Sequence, residues 1–259
     1  MSNQPASPSR PVPSGPPASQ PDGNIELSEK GRGADGQPVS LDRRLFMQFM
    51  AFRNGNAEAL KEQFESISAQ AVIYQDLHDA RGLGVMAYCQ DPAYIVDQIQ
   101  PILRSQSHLE YRQEYTMLGR TYAIGYEADL EDVLIHRPVQ RVCDPATPWV
   151  VYYPVRRSGL FERQSREDQR KMLAEHGGIG HAYGKAGFAT DIRLAGHGLN
   201  KDDSDFIVGL LGANLFPLSA LVQHMRRTRQ TSEFIEKMGP FFVGRAFWQP
   251  AYDPHAELV

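Results

Sequence analysis

From Leu45 onward the chain alternates short apolar runs with amphipathic stretches. Leu45–Phe52 is an apolar run of strand length. Leu60, Phe64 and Ile67 then fall at i, i+4 and i+7, the spacing of one helix face. Two strand-like runs follow, 71–77 and 83–89, separated by a turn that contains His78, Asp79 and Gly82. A second amphipathic stretch places Ile95, Ile99, Ile102 and Leu103 on one side, and a strand is expected around Tyr111–Met117. The predicted order is β-α-β-β-α-β, a ferredoxin-like half.

The order recurs from Trp149. Residues 149–157 read as a strand and 165–176 as a helix carrying Met172, Leu173 and His176, which Gly177-Gly178 is expected to break. Strands at 188–195 and 206–211 flank the polar turn Asn200-Lys201-Asp202-Asp203. Asn214 is placed to cap a further helix, with Pro217 in its first turn and Leu215, Leu218, Leu221, Val222 and Met225 as its apolar stripe. Phe241-Phe242-Val243 supplies a last strand. The pattern thus predicts an α+β protein of two duplicated ferredoxin-like halves, 41–117 and 149–250, forming a dimeric α+β barrel within one chain. An irregular linker, 118–148, joins them.

Composition changes the picture mainly at the N-terminus. Seven of the chain's 18 prolines lie in the first 23 residues, mixed with Ser, Gly and Gln. Such a segment has too little apolar surface to offset the entropy of ordering it. Residues 1–40 are therefore expected to be a disordered tail, or alternatively an extended polyproline segment that docks a partner. The charge balance, 27 Lys+Arg against 31 Asp+Glu, argues against a nucleic-acid partner held by phosphate neutralisation. No run approaches the ~18 apolar residues that span a bilayer, and no signal-peptide pattern opens the chain. Cys89 and Cys143 suit a reducing compartment. A cytoplasmic protein with no membrane partner is expected.

Four places carry candidate chemistry. His176, one turn after Met172, can offer a neutral nitrogen to a metal in a dry pocket. The same position also suits a histidine that complements a helix C-terminus. Alternation along 149–157 puts Trp149, Val151, Tyr153, Val155 and Arg157 on one face, and Val150, Tyr152 and Arg156 on the other. A Tyr and an Arg on one face can line a pocket for an acidic, oxidisable ligand; an edge strand interrupted by Pro154 is the alternative. Asp191 and Arg193 share a face opposite Ile192 and Leu194, giving either an anion-seeking arginine or a surface ion pair. Arg226 belongs to a basic helix end that can bind carboxylates or merely face solvent. Tyr115, Arg120 and Tyr122 are weaker candidates, and His78, His108, His136, His197 and His255 have no partner at metal-ligand spacing.

The segments Tyr152-Tyr153-Pro154-Val155-Arg156-Arg157, Met172-Leu173-Ala174-Glu175-His176-Gly177, 198–206, Met225-Arg226 and Gly239-Pro240-Phe241-Phe242-Val243-Gly244 occur in that order. Over roughly 148–248 the chain resembles the chlorite dismutase family, which includes haem-dependent chlorite dismutases and coproheme decarboxylases. The resemblance implies an iron porphyrin cofactor with His176 as its metal ligand. It implies Tyr153 as the radical-carrying tyrosine, and Arg157 and Arg226 as holders of propionates. Arg193, counted back from Asp202, falls at the distal arginine of chlorite dismutases; counting from Gly198-Leu199 puts Asp191 there instead. Where chlorite dismutases carry a glutamate bonded to the proximal histidine, Leu210-Leu211-Gly212 offers no carboxylate. The resemblance favours a peroxide-dependent decarboxylase that converts iron coproporphyrin (coproheme) to haem b. Chlorite decomposition to chloride and dioxygen, or a non-catalytic haem carrier or sensor, are the alternatives. Relatives often form pentamers, so the resemblance also implies a homo-oligomer.

Overall fold

Both halves form as the alternation predicts, and they merge into one closed sheet. A computed structural model describes residues 25–125, 127–256 and 258–259. The first half runs through β1 (Glu29–Arg32), β2 (Pro38–Leu41), β3 (Phe46–Arg53), α1 (Ala57–Ser66), β4 (Ala71–Asp76), β5 (Leu83–Cys89), α2 (Gln100–Ser105) and β6 (Glu110–Arg120). A connecting helix, α3 (Arg137–Val142), follows. The second half contains β7 (Trp149–Arg157), α4 (Arg166–Lys185), β8 (Thr190–Ala195), β9 (Phe206–Gly212), α5 (Leu215–Met225), α6 (Arg229–Phe234), β10 (Ile235–Met238) and β11 (Phe242–Trp248). Among the described residues no helix is long and apolar enough to cross a membrane.

Within each half the strands pair antiparallel in the ferredoxin-like order, β6-β3-β5-β4 and β11-β7-β9-β8. The β11–β4 and β6–β8 pairings join the halves and close the barrel, which leaves few free sheet edges. Its interior is a continuous apolar core that includes Phe49, Tyr74, Met86, Met117, Val150, Tyr152, Ile192, Ile207, Leu211 and Phe242. The Phe49 ring lies 4.9 Å from Tyr152 and 4.6 Å from Phe242, centroid to centroid. Tyr74 Oη and Tyr152 Oη share a hydrogen bond of 3.1 Å, so two deeply buried hydroxyls satisfy each other. The helices cover the outside. α1 packs on the first half's sheet through Leu60 and Phe64, and α2 with the helical turn before it through Ile99 and Leu103. α4 and α5 pack on the second through Ile179, Tyr183, Leu218 and Leu221.

Three boundaries differ from the sequence reading. Residues 29–40, expected to belong to a disordered tail, are ordered: β1 and β2 pair as a hairpin, and Glu29 accepts hydrogen bonds from Arg120 and from the Ala123 amide. Residues 1–24, with all seven early prolines, lie outside the described residues. The linker expected to be irregular carries a wide, π-type turn at Asp132–His136 that runs into α3. Leu130, Leu134, Ile135, Val139 and Val142 from this stretch enter the barrel core. The third difference is at Gly177-Gly178, where α4 does not end but continues to Lys185. Each helix glycine costs only about 1 kcal/mol relative to alanine, and the contacts that Ile179 and Tyr183 make with the sheet outweigh that cost.

Two kinds of glycine can be told apart by what a side chain would meet. A Cβ at Gly209 would lie 2.4 Å from Tyr152 Cε1, whereas nothing lies within 4 Å at Gly178. Gly209→Ala is expected to destabilise the fold by about 1–3 kcal/mol through overpacking. Gly178→Ala should be neutral or stabilise by up to about 1 kcal/mol. Urea denaturation that ranked the two variants the other way would contradict both the core contact and the unbroken helix.

Candidate functional site

The candidate residues converge on the outer face of the second half's sheet, under α4 and α5. Strand alternation puts Val151, Tyr153 and Val155 on that face, while Val150 and Tyr152 fill the barrel. Pro154 does not make β7 an edge strand. β7 pairs with β9 along one side, and with β11 and then β10 along the other. The carbonyl of Pro154 accepts from the Gly239 amide at 2.9 Å, in the gap between β11 and β10. The missing N–H faces that same gap, so no ladder bond is lost. Tyr153 is 5% exposed, and its ring stacks on Phe241 at 4.6 Å. Burial pushes its phenol well above the ordinary range, the negative charge of Asp191 adds to this, and Arg226 opposes it. The hydroxyl therefore keeps its proton.

β8 lies alongside, with Ile192 and Leu194 in the barrel core and Asp191 and Arg193 on the opposite face. Arg193 does not point into the apolar interior. Its Nε sits 2.9 Å from Asp191 Oδ2, the ion-pair alternative. Both side chains are partly exposed, so the pair itself adds little stability. A residue that the sequence reading passed over, Arg141 of α3, donates to the backbone carbonyl of Asp191 and approaches its carboxylate at 3.4 Å. The linker helix thus anchors the acid at the site.

His176 sits in the interior of α4, not at its end. The helix starts at the Ser165 cap, which accepts from the Asp168 amide at 3.1 Å. It is then pinned on both sides of the histidine: Met172 packs with Phe161 and Phe234, and Ile179 and Tyr183 pack on the sheet. The imidazole is half-buried, and its Nδ1 lies 3.3 Å from Oγ1 of Thr228. Burial holds its pKa below the ordinary histidine value, and the Arg193 cation lowers it further against the opposing charges of Asp191 and Glu175. One turn on, at Gly180, a Cβ would meet Met225 Cε at 3.4 Å and, among the described residues beyond its chain neighbours and the nearby backbone of α4, no other heavy atom within 4 Å.

His176, Tyr153, Asp191, Arg193 and Arg226 therefore share one electrostatic neighbourhood. Arg226 is exposed at the end of α5 and makes no ion pair among the described residues. Arg157 stands further off. Its guanidinium pairs with Glu162 at 2.7 Å and lies over the rings of Phe161 and Phe206, at 4.1 and 5.0 Å. Tyr122 links the two regions: its phenol is raised by burial, while the charges of Arg193 and Arg157 both oppose the rise. Arg120 is tied to Glu29, and Tyr115 lies under Arg112 on β6. Among the described residues no three His, Cys, Asp or Glu side chains form a metal cluster. The arrangement instead offers a single neutral imidazole, an apolar wall and two arginines. Such a surface suits a flat apolar ring with acidic substituents and one metal centre.

The charges around His176 make a signed prediction. A solvated imidazole titrates near 6.5, so NMR titration of the protein as isolated is expected to give His176 a lower midpoint. Arg193→Gln should raise that midpoint and Asp191→Asn should lower it further. Between 6.5 and the folded midpoint the unfolded chain binds the extra proton, so this group's contribution to stability is full above 6.5 and declines as pH falls below it. A wild-type midpoint at or above 6.5, or two variants that shift it the same way, would remove the ring from between these charges.

Comparison with known proteins places the fold. A family model described as chlorite dismutase matches residues 57–247. A haem-binding protein from Thermus thermophilus is similar in structure, at 16% identity and TM-score 0.60 over 80% of this chain and 92% of the other. A point mutant of the chlorite dismutase from Candidatus Nitrospira defluvii is similar at 15% identity and TM-score 0.58, over 80% and 92%. A second mutant of that enzyme, in complex with cyanide, reaches TM-score 0.60 at 15% identity, again over 80% and 92%. These structures share the fold. With the match over residues 57–247, the chain belongs to the chlorite dismutase family.

Proposed function

We propose that the chain is a haem-dependent oxidoreductase that binds an iron porphyrin through Nε2 of His176. Its reaction is the peroxide-dependent oxidative decarboxylation of iron coproporphyrin to haem b. The residues fit such a group. The imidazole is neutral, and Gly180 one turn on adds no side chain beside it, with only the flexible end of Met225 near where one would stand. Val151, Tyr153, Leu210, Leu218 and Leu221 pack together as an apolar layer between the sheet and the helices, with the exposed cation of Arg226 near its border for a propionate. Arg157, nearer Glu162, is assigned to a further propionate.

The observation that carries this reading is Tyr153: a buried, protonated phenol on the outer face of β7, beneath α4 and α5, feeling the same Asp191 charge as His176. Bound iron supplies one-electron oxidising power when peroxide reacts with it. Tyr153 relays the electron, releasing its Oη proton as it is oxidised and regaining one as it oxidises a propionate. Each propionate then loses carbon dioxide, a proton and two electrons to become a vinyl group. Peroxide takes up two electrons and two protons to give two waters, so one proton is consumed per vinyl formed. The stacked Phe241 and the surrounding aliphatic residues keep water from the phenol.

Chlorite decomposition is the second reading, favoured by one observation: the positive charge of Arg193 reaches His176. Against it, Arg193 is engaged by Asp191 at 2.9 Å. Mass spectrometry after addition of iron coproporphyrin and peroxide is expected to show stepwise loss of two carboxyl groups by wild type, and at least a 100-fold slower loss by Tyr153→Phe, on the order of a missing covalent or proton-transfer group. Unchanged substrate mass with wild type, or equal rates in both proteins, would overturn the proposal. Sustained dioxygen evolution from chlorite at an oxygen electrode would put the second reading first.

A further inference from the structure

One group holds the His176 ring from behind. Thr228 Oγ1 lies 3.3 Å from Nδ1, and Thr228 is 1% exposed, so water does not compete for it. A threonine hydroxyl has one proton and two acceptor lone pairs. The Met225 carbonyl, 2.8 Å away, takes that proton, because a carbonyl only accepts. The hydroxyl also caps α6 by accepting from the Thr231 amide at 3.4 Å, which uses one lone pair and leaves one, and toward the Thr231 hydroxyl, 3.2 Å away, it stands as a donor of the same proton. Toward His176 the hydroxyl is therefore an acceptor. Nδ1 carries the ring proton, and Nε2 is left as a bare lone pair.

A second bond fixes the same join. Glu175, the preceding residue of α4, accepts from the Arg229 amide at 3.1 Å. Residues 175 and 176 thus clasp residues 228 and 229, and the segment between α5 and α6 cannot shift without moving the ring. We propose that Thr228 is the positioning residue of His176: its hydroxyl fixes the tautomer that frees Nε2 to coordinate, and as an uncharged acceptor it leaves the imidazole a weaker donor than a carboxylate partner would. The role toward iron rests on the iron-porphyrin reading above; the tautomer does not. Partners of this kind set both the orientation and the basicity of a ligating histidine.

Nitrogen-15 NMR of the porphyrin-free protein reads the tautomer directly. Wild type and Thr228→Ser are expected to show His176 protonated at Nδ1, and Thr228→Val to lose that preference. The same three proteins, titrated with iron protoporphyrin, are expected to bind with Thr228→Val weakened by about 10–100-fold and Thr228→Ser close to wild type. In the ferrous complexes, resonance Raman should show the iron–histidine band of Thr228→Val displaced from that of the other two. A wild-type ring protonated at Nε2 overturns the proposal whether or not the valine variant folds, and so does a tautomer unchanged in Thr228→Val. If His176→Ala binds the porphyrin as tightly as wild type, the ligand reading falls, and the porphyrin-free spectra still decide whether Thr228 orients the ring.

Discussion

The hydrogen bond between Tyr74 and Tyr152 holds β7 in register inside the barrel, and the outer face depends on that register. Side chains alternate along a strand, so a slip of one residue would exchange Tyr152 with Tyr153. Two features oppose the slip. Tyr152 fits against the missing side chain of Gly209, and its ring packs on Phe49. Its hydroxyl would have no partner if it left Tyr74, and a buried unpaired hydroxyl costs about 1–3 kcal/mol. The core tyrosine therefore keeps the neighbouring tyrosine on the wall beneath α4 and α5.

Burial and a few charges then set the protonation states on that wall. Low dielectric surroundings disfavour the charged form of any group, so they keep the phenol of Tyr153 protonated and the imidazole of His176 neutral. Asp191 pushes both groups toward their protonated forms, while Arg193 pushes the imidazole the other way. The acid is fixed because Arg141 reaches it from α3, outside both ferredoxin-like halves. The connecting segment is thus part of the site's electrostatics as well as the cover of the barrel.

Much of this was legible in the sequence wherever the governing rule is local. The two faces of β7 and of β8 follow from alternation alone, and both assignments hold. The Gly177-Gly178 pair misleads because helix propensity is a weak preference, which the packing of Ile179 and Tyr183 overrides. The apolar residues Leu130, Leu134, Ile135, Val139 and Val142 fall at helical spacing, a signal that the reading of the connecting segment as irregular missed. The β1–β2 hairpin carried none, since polar bonds from Glu29 to distant groups hold it. Thr228 and Arg141 were out of reach for a similar reason. Each acts on a partner about fifty residues away, and no spacing rule encodes such a meeting.

The duplication itself explains why only one half presents such chemistry. β4 and β8 occupy equivalent places in the two halves, and each sends alternate residues into the barrel: Val72 and Tyr74 from one, Ile192 and Leu194 from the other. Their outer faces differ. β4 presents Ala71 and Ile73 to α1, whose Leu60 and Phe64 close the layer as an ordinary apolar core. β8 presents Asp191 and Arg193, whose charges act on His176 of α4. A charged pair under a helix cannot be dehydrated as Ile73 is without losing more than the layer gains. The second half's layer thus stays half-open at Asp191, Arg193 and His176, whereas the first is sealed. Closure of the barrel makes this tolerable, because the shared interior and the sealed layer stabilise the sheet that the polar layer is built on.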